Sequence, residues 1–144
     1  MIRSSRLVLV LGFILGAVPL SVADSMSMKG EVLASYLKVS AALAADDLAA
    51  AKTAAAAVAG HAGMGDKNIA AKAEAVAKAA KIETARENFK ALSAAVEPLA
   101  AGEKNYVVMH CPMAGADWVQ ASPKVQNPYF GKAMLTCGAP KKSK

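Results

Sequence analysis

Aromatic side chains are scarce in this sequence: one Trp, three Tyr and three Phe among 144 residues. A surface that stacks nucleic-acid bases is therefore missing, and the 17 Lys and Arg are spread along the chain rather than gathered in a stripe. The pI of about 9.4 reads as a solvated lysine surface, with no nucleic-acid partner. Cysteine and histidine are limited to two residues each. The Cys-x-x-Cys-His pattern of haem attachment is absent. So are a phosphate-cradling glycine loop, a zinc-protease helix motif, paired carboxylates, and a nucleophile with a base at recognisable spacing. No enzymatic activity is expected.

The first residues set the compartment. Arg3 and Arg6 precede an apolar run from Leu7 to Val18, which is short against the roughly 20 residues of a membrane span. Ser21-Val22-Ala23 fits a small-x-small cleavage pattern, so residues 1–23 are expected to be a secretory signal peptide cleaved after Ala23. The alternative, an uncleaved anchor, would call for a stop-transfer charge cluster, and none follows the run. No lipobox cysteine is present. The expected mature chain is periplasmic, with no stable membrane insertion after cleavage. It keeps 121 of the 144 residues and a net charge of +4 in place of +6, enough for one small domain.

Alanine, the strongest helix former, dominates the middle of the chain. A first helix is expected over about Lys29 to Ala44, with Val32, Leu33, Tyr36, Leu37, Val39 and Leu43 as an apolar stripe. Asp46 and Asp47 are suited to cap a second helix, about Asp47 to Ala59, ending at Gly60. Gly60 to Asp66 contains three glycines in seven residues and reads as a loop. Apolar spacing then continues from Lys67 through Ile69, Val76, Ile82, Phe89, Leu92, Val96 and Leu99. No Gly or Pro interrupts Lys67 to Glu97, so one bent helix and two helices both fit. The expected fold class is all-α: an antiparallel three- or four-helix bundle over residues 24–102, with an irregular C-terminal Cys/Met cassette over residues 103–140 packed on it in the same domain, and a basic tail over 141–144.

That cassette carries the chemistry. Met109-His110-Cys111-Pro112-Met113 and Met134-Leu135-Thr136-Cys137-Gly138 hold both cysteines, three methionines and one histidine. Thiolate, thioether and imidazole suit Cu(I) or Ag(I), and thiolate with imidazole also suits Zn(II), which the abundance of methionine makes the weaker choice. The candidate metal ligands are Cys111, Cys137, Met113, Met134, Met109 and His110. They outnumber the donors that Cu(I) takes, so some must be packing residues. An extended backbone would put Met109 and Met113 on the same side as Cys111.

Two cysteines in an exported chain equally suggest a disulfide. A Cys111–Cys137 bond would stabilise by on the order of 3 kcal/mol. A reversible dithiol, metallated when reduced, accommodates both readings. Pro112, Pro123, Pro128 and Pro140 argue against a long regular element here, leaving a short extended piece at Tyr106 to Met109 and a helical turn at Ala114 to Gln120. Tyr106, Trp118, Tyr129 and Phe130 supply bulk for packing. Two further soft-donor groups stand apart: Met26 with Met28, and His61 with Met64. Each reads either as an accessory copper site or as plain terminus and loop.

The strings Cys111-Pro112-Met113-Ala114, Gly115-Ala116-Asp117-Trp118, Asn127-Pro128-Tyr129-Phe130-Gly131 and Met134-Leu135-Thr136-Cys137-Gly138 resemble domain of unknown function 3347. Tyr36-Leu37, Ala45-Asp46-Asp47, Arg86, Phe89 and Ser93 agree, so the resemblance covers nearly the whole mature chain. It implies a helical domain associated with copper or silver in the cell envelope. Such a domain stands alone in the periplasm or is appended to adaptor subunits of heavy-metal efflux pumps of the resistance-nodulation-division type. It also implies a periplasmic efflux adaptor or metallochaperone as partner, and carries over Cys111, Met113, Met134 and Cys137 as family positions. The Cys-Pro-Met start is similar to short Cys-Pro-Met-His heavy-metal modules. Ala114 stands where those have histidine, so His110 would supply the imidazole. The alternative function is a metal-free helical interaction module of the envelope, stapled by Cys111 and Cys137.

Overall fold

The computed structural model describes residues 20–142, with side chains from Met28 onward. The signal peptide expected over residues 1–23 lies outside the described residues except for the backbone of its last four, which begin the first helix.

Four helices form: α1 (Leu20–Ala44), α2 (Leu48–Ala62), α3 (Lys67–Ala77) and α4 (Ile82–Ala100). Among the described residues no helix is long and apolar enough to cross a membrane. Helix α1 stops where Asp46 adopts φ 62°, a left-handed conformation that Asp tolerates better than most residues. Asp47 then caps α2 by accepting the Ala50 N–H at 2.9 Å. The two aspartates thus divide the work, one ending a helix and one starting the next. Helix α2 runs through Gly60 to Ala62, and Asp66 caps α3 by accepting the N–H groups of Asn68 and Ile69 at 3.0 Å each. The expected loop shrinks to the turn at residues 63–66. A second turn, residues 78–81, separates α3 from α4 without Gly or Pro, and the Asn88 side chain donates to the Ala75 carbonyl at 2.8 Å near the end of α3.

Valine, leucine and alanine on the inward stripes form the core, with Leu33, Tyr36, Val39 and Leu43 of α1 facing Phe89, Leu92 and Val96 of α4. Each buried Val or Leu side chain stabilises by about 1.5–3 kcal/mol. Tyr36 stacks on Phe89 with ring centroids 5.1 Å apart, Phe89 meets Tyr129 at 5.9 Å, and Tyr129 meets Trp118 edge-on at 5.9 Å. This aromatic series joins the bundle to the C-terminal segment.

That segment corrects the all-α expectation and the irregular cassette. The protein is mostly helical, but residues 107–140 contain a three-stranded antiparallel sheet of order β2-β1-β3: β1 (Val107–Cys111), β2 (Ala116–Gln120) and β3 (Ala139–Pro140). Met109 pairs with Trp118, His110 with Asp117 and Cys111 with Ala116. The helical turn expected at Ala114 to Gln120 is replaced by strand β2, because Trp118 and Val119 are both buried and β2 is thereby covered on its two faces. The Tyr36 hydroxyl of α1 reaches the sheet, accepting the Val119 N–H at 3.1 Å. Pro140 is accommodated because β3 is an edge strand.

Candidate metal centre

Strand β1 presents Met109 and Cys111 to one face and His110 to the other, as period-two alternation requires. Met109 and Cys111 are fully buried and His110 is exposed. The chain then turns at residues 112–115, with Gly115 at φ 60°, and enters β2. This turn aims the Ala114 N–H at the Cys111 sulfur, 3.4 Å away. After the 3-10 turn Gly131–Ala133, the chain returns to place the Cys137 Sγ 3.3 Å from the Cys111 Sγ. Both cysteines are free thiols, Cys111 buried and Cys137 half-buried.

Asn127 holds this return in place. Fully buried, it donates from Nδ2 to the Cys137 carbonyl at 2.6 Å and accepts the Tyr129 N–H at 2.7 Å. Its backbone N–H donates to the Leu135 carbonyl at 2.8 Å. Gly138, at φ 136°, lies over the Trp118 ring, where a Cβ would stand 2.7 Å from Cη2. The position of Cys137 is therefore set by a buried amide before it and an aromatic ring behind its neighbour.

The two thiols differ in acidity. Burial pushes Cys111 up, but the Ala114 N–H, the Cys137 thiol, the Asn127 amide and the Met113 N–H outweigh it, so Cys111 ionises below the ordinary thiol value. Cys137 is pushed up by its hydrogen bond to Cys111, then by burial and by the Cys111 charge. The first proton leaves Cys111, and the second is shared toward its thiolate.

On the outer face, His110 Nδ1 lies 2.6 Å from Asp117 Oδ1, and Lys141 Nζ lies 2.7 Å from Asp117 Oδ2 and 2.6 Å from Glu97 Oε1. Burial raises the Asp117 carboxyl, yet Lys141 and His110 together hold it below the usual carboxylate range. Lys141 is held up by Asp117 and Glu97. Its N–H donates to the Val108 carbonyl at 2.8 Å, so the first residue of the basic tail is anchored to the sheet. A carboxylate bound to one imidazole nitrogen orients the ring and leaves the other nitrogen available. His110 and Cys137 both line a surface cavity of about 490 Å³ together with Pro112, Pro140 and Lys142.

The sequence-derived ligand set thus divides. Cys111 and Cys137 meet sulfur to sulfur, and Cys137 shares the surface opening with His110, whereas Cys111 is buried on the opposite face of β1 from His110. Met109 is buried in the core beside Cys111. Met113 turns outward, 65% exposed, and lines a different cavity with Arg86, Glu87, Lys90, Tyr129 and Phe130. Met134 is half-buried and contributes its carbonyl, which accepts the Cys137 N–H at 3.0 Å. The parity that would align Met113 with Cys111 is lost because β1 ends at Cys111. Among the described residues, no three His, Cys, Asp or Glu side chains are grouped to hold a metal ion. Asn127, Asp117 and Lys141 were not singled out by the sequence as parts of a site, since their roles depend on cross-strand pairing.

A family model described as Protein of unknown function (DUF3347) matches residues 32–106, which are the helical bundle up to the start of β1. The cysteine-bearing sheet lies beyond the matched stretch. No curated protein matches, and no solved structure does.

Proposed function

From the premise that this chain belongs to the DUF3347 family of unknown function, we propose that it is a periplasmic binder of Cu(I) or Ag(I) that buffers the ion or delivers it in heavy-metal efflux. Cys111 and Cys137 are the principal ligands. The observation that carries this reading is the pair of free thiols 3.3 Å apart, one of them acidified by N–H groups aimed at its sulfur. Soft d10 ions favour thiolate, and two donors suffice for them, whereas structural zinc is almost always bound by four. Two thiolates at about 2.3 Å from one ion stand about 3.8 Å apart when tetrahedral and farther when linear. The sulfurs need to separate by about half an ångström for a tetrahedral ion and by about 1.3 Å for a linear one, and the half-buried Cys137 side chain, rotating on its fixed backbone, supplies that movement. His110, steadied by Asp117 on the opposite face of β1 from Cys111, shares the opening with Cys137 and is the donor met by an ion carried outward on Cys137. Met109 shields the buried side, and Met113 and Met134 serve in transit or packing rather than as fixed ligands.

The opening beside Cys137 fits release by ligand exchange to an efflux adaptor or metallochaperone. In the oxidised protein the same cysteines form a staple and metal is excluded, so binding is conditional on reduction. The test is a Cu(I) titration of the reduced mature protein against a competing chelator. Cys111→Ser/Cys137→Ser should weaken binding by about a hundredfold or more, and Met113→Leu/Met134→Leu by far less. Micromolar or weaker binding that neither double variant alters would overturn the reading. The chain would then stand as a metal-free helical interaction module of the envelope, stapled by Cys111 and Cys137.

A further inference from the structure

The far end of the bundle brings together the two soft-donor groups that the cysteine site leaves unused. Helices α1 and α2 run antiparallel, so the first described side chains of α1 meet the last turn of α2. Glu31 Oε2 lies 3.2 Å from His61 Nδ1. One helical turn earlier on the same face, Met28 lays its sulfur on Gly65, where a Cβ would sit 2.5 Å from Sδ. Residues three and four apart on a helix have Cβ atoms about 5–6 Å apart, so the two contacts are adjacent rungs of one seam.

The glycines of this turn do not serve backbone freedom. Gly63 has φ −58°, and neither Gly60 nor Gly65 has positive φ. Gly65 instead leaves the space that the Met28 thioether occupies. Its neighbour Met64 is 93% exposed, a large apolar side chain in the turn three residues after His61. The Glu31 carboxylate stands beside Nδ1 within ion-pair distance, so a metal ion would be met by the other ring nitrogen, Nε2.

We infer that His61 Nε2 with the Met28 and Met64 thioethers forms a second soft-metal site, for Cu(I) or Ag(I), at the open end of the α1/α2 pair. Glu31 orients the imidazole. None of its donors is a thiol, so this site keeps its ligands when Cys111 and Cys137 are oxidised or replaced. It binds more weakly and exchanges faster than a thiolate site, because thioethers and neutral imidazole bring no charge to the ion.

The test uses the full mature chain carrying Cys111→Ser/Cys137→Ser, so that its outcome is independent of the cysteine site. Ag(I) is titrated while the methionine methyl resonances are followed by NMR, with circular dichroism confirming that each variant folds. The expected result is that the Met28 and Met64 methyls shift together and saturate near one equivalent. Adding His61→Ala should weaken binding by about tenfold or more, and Glu31→Gln by less. Gly65→Ala, which displaces the Met28 sulfur, should also weaken it. The inference is overturned if Ag(I) moves only Met109, Met113 or Met134, or if His61→Ala leaves the Met28 and Met64 shifts unchanged.

Discussion

Cys111 and Cys137 place their sulfurs 3.3 Å apart, and the buried thiol is the more acidic of the two. A disulfide needs about 2.05 Å and shared metal ligation at least about 3.8 Å, so the pair stands between the two states and reaches either by a movement of about an ångström. The cysteines are 26 residues apart in sequence, a loop whose closure stabilises by about 3 kcal/mol. Oxidised protein should therefore unfold at higher urea than reduced protein. Cys111→Ser/Cys137→Ser should unfold at a midpoint independent of reductant. Equal midpoints for oxidised and reduced wild type would show that the pair does not staple the segment.

Gly138 tests how firmly the segment after Cys137 is fixed. At φ 136°, with Trp118 Cη2 at 2.7 Å and the His110 carbonyl oxygen at 3.1 Å from a would-be Cβ, an alanine meets both strain and collision. Gly138→Ala should destabilise by about 1–3 kcal/mol and alter Trp118 fluorescence. Gly115→Ala is the comparison: φ is 60°, but nothing lies within 4 Å of its would-be Cβ, so only the backbone cost of about 1 kcal/mol applies. Urea denaturation of both variants reads the difference. Equal losses would mean that the Gly138 contact with Trp118 carries no energy.

The helices were legible because alanine content and apolar spacing agree over long stretches, and Leu33, Tyr36, Leu43, Phe89, Leu92 and Val96 all fall on the buried side. Their ends were less so. Gly60 does not stop α2, since helix interiors tolerate one glycine at about 1 kcal/mol. The break before Ile82 follows tertiary contacts such as Asn88 with Ala75, which no local breaker marks. The sheet was hidden for a different reason. Ala116-Asp117-Trp118-Val119-Gln120 lacks strict alternation because it is covered on both faces, and the prolines that argued against regular structure lie in turns or at the sheet edge. Soft donors could be recognised by type, but which of them meet depends on where β1 ends: one residue past Cys111 the chain turns, and Met113 leaves the buried face.

Tyr36 links the bundle to the sheet through its hydroxyl, which lies 2.7 Å from Ser93 Oγ and accepts the Val119 N–H at 3.1 Å. Burial pushes its ionisation far above the ordinary range, so the hydroxyl stays neutral and serves as both donor and acceptor. Tyr36→Phe keeps the stack on Phe89 but leaves the buried Val119 N–H without its partner, which should cost about 1–3 kcal/mol. Ser93→Ala leaves that bond intact and should cost less. Chemical denaturation of the two variants ranks them, and a larger loss for Ser93→Ala would refute the assignment of Tyr36 as the link.

Arg86 joins three segments, donating to the Leu43 carbonyl at 2.9 Å, the Pro128 carbonyl at 3.0 Å and Asp46 Oδ1 at 2.5 Å. The hydrogen bond from Arg86 holds the Asp46 carboxyl below its ordinary value, aided by the Lys132 N–H. A carboxyl depressed in the folded state binds fewer protons there than in the unfolded chain. Its stabilisation is therefore complete above the unfolded value, about 3.9, and is lost as pH falls through the folded one. Asp46→Asn retains a side chain that tolerates φ 62° while removing the charge. Its urea midpoint should lie below wild type at pH 7, with the gap closing as pH drops below about 4. A gap of constant size down to pH 2.5 would mean that the Asp46 charge does not stabilise the junction between bundle and sheet.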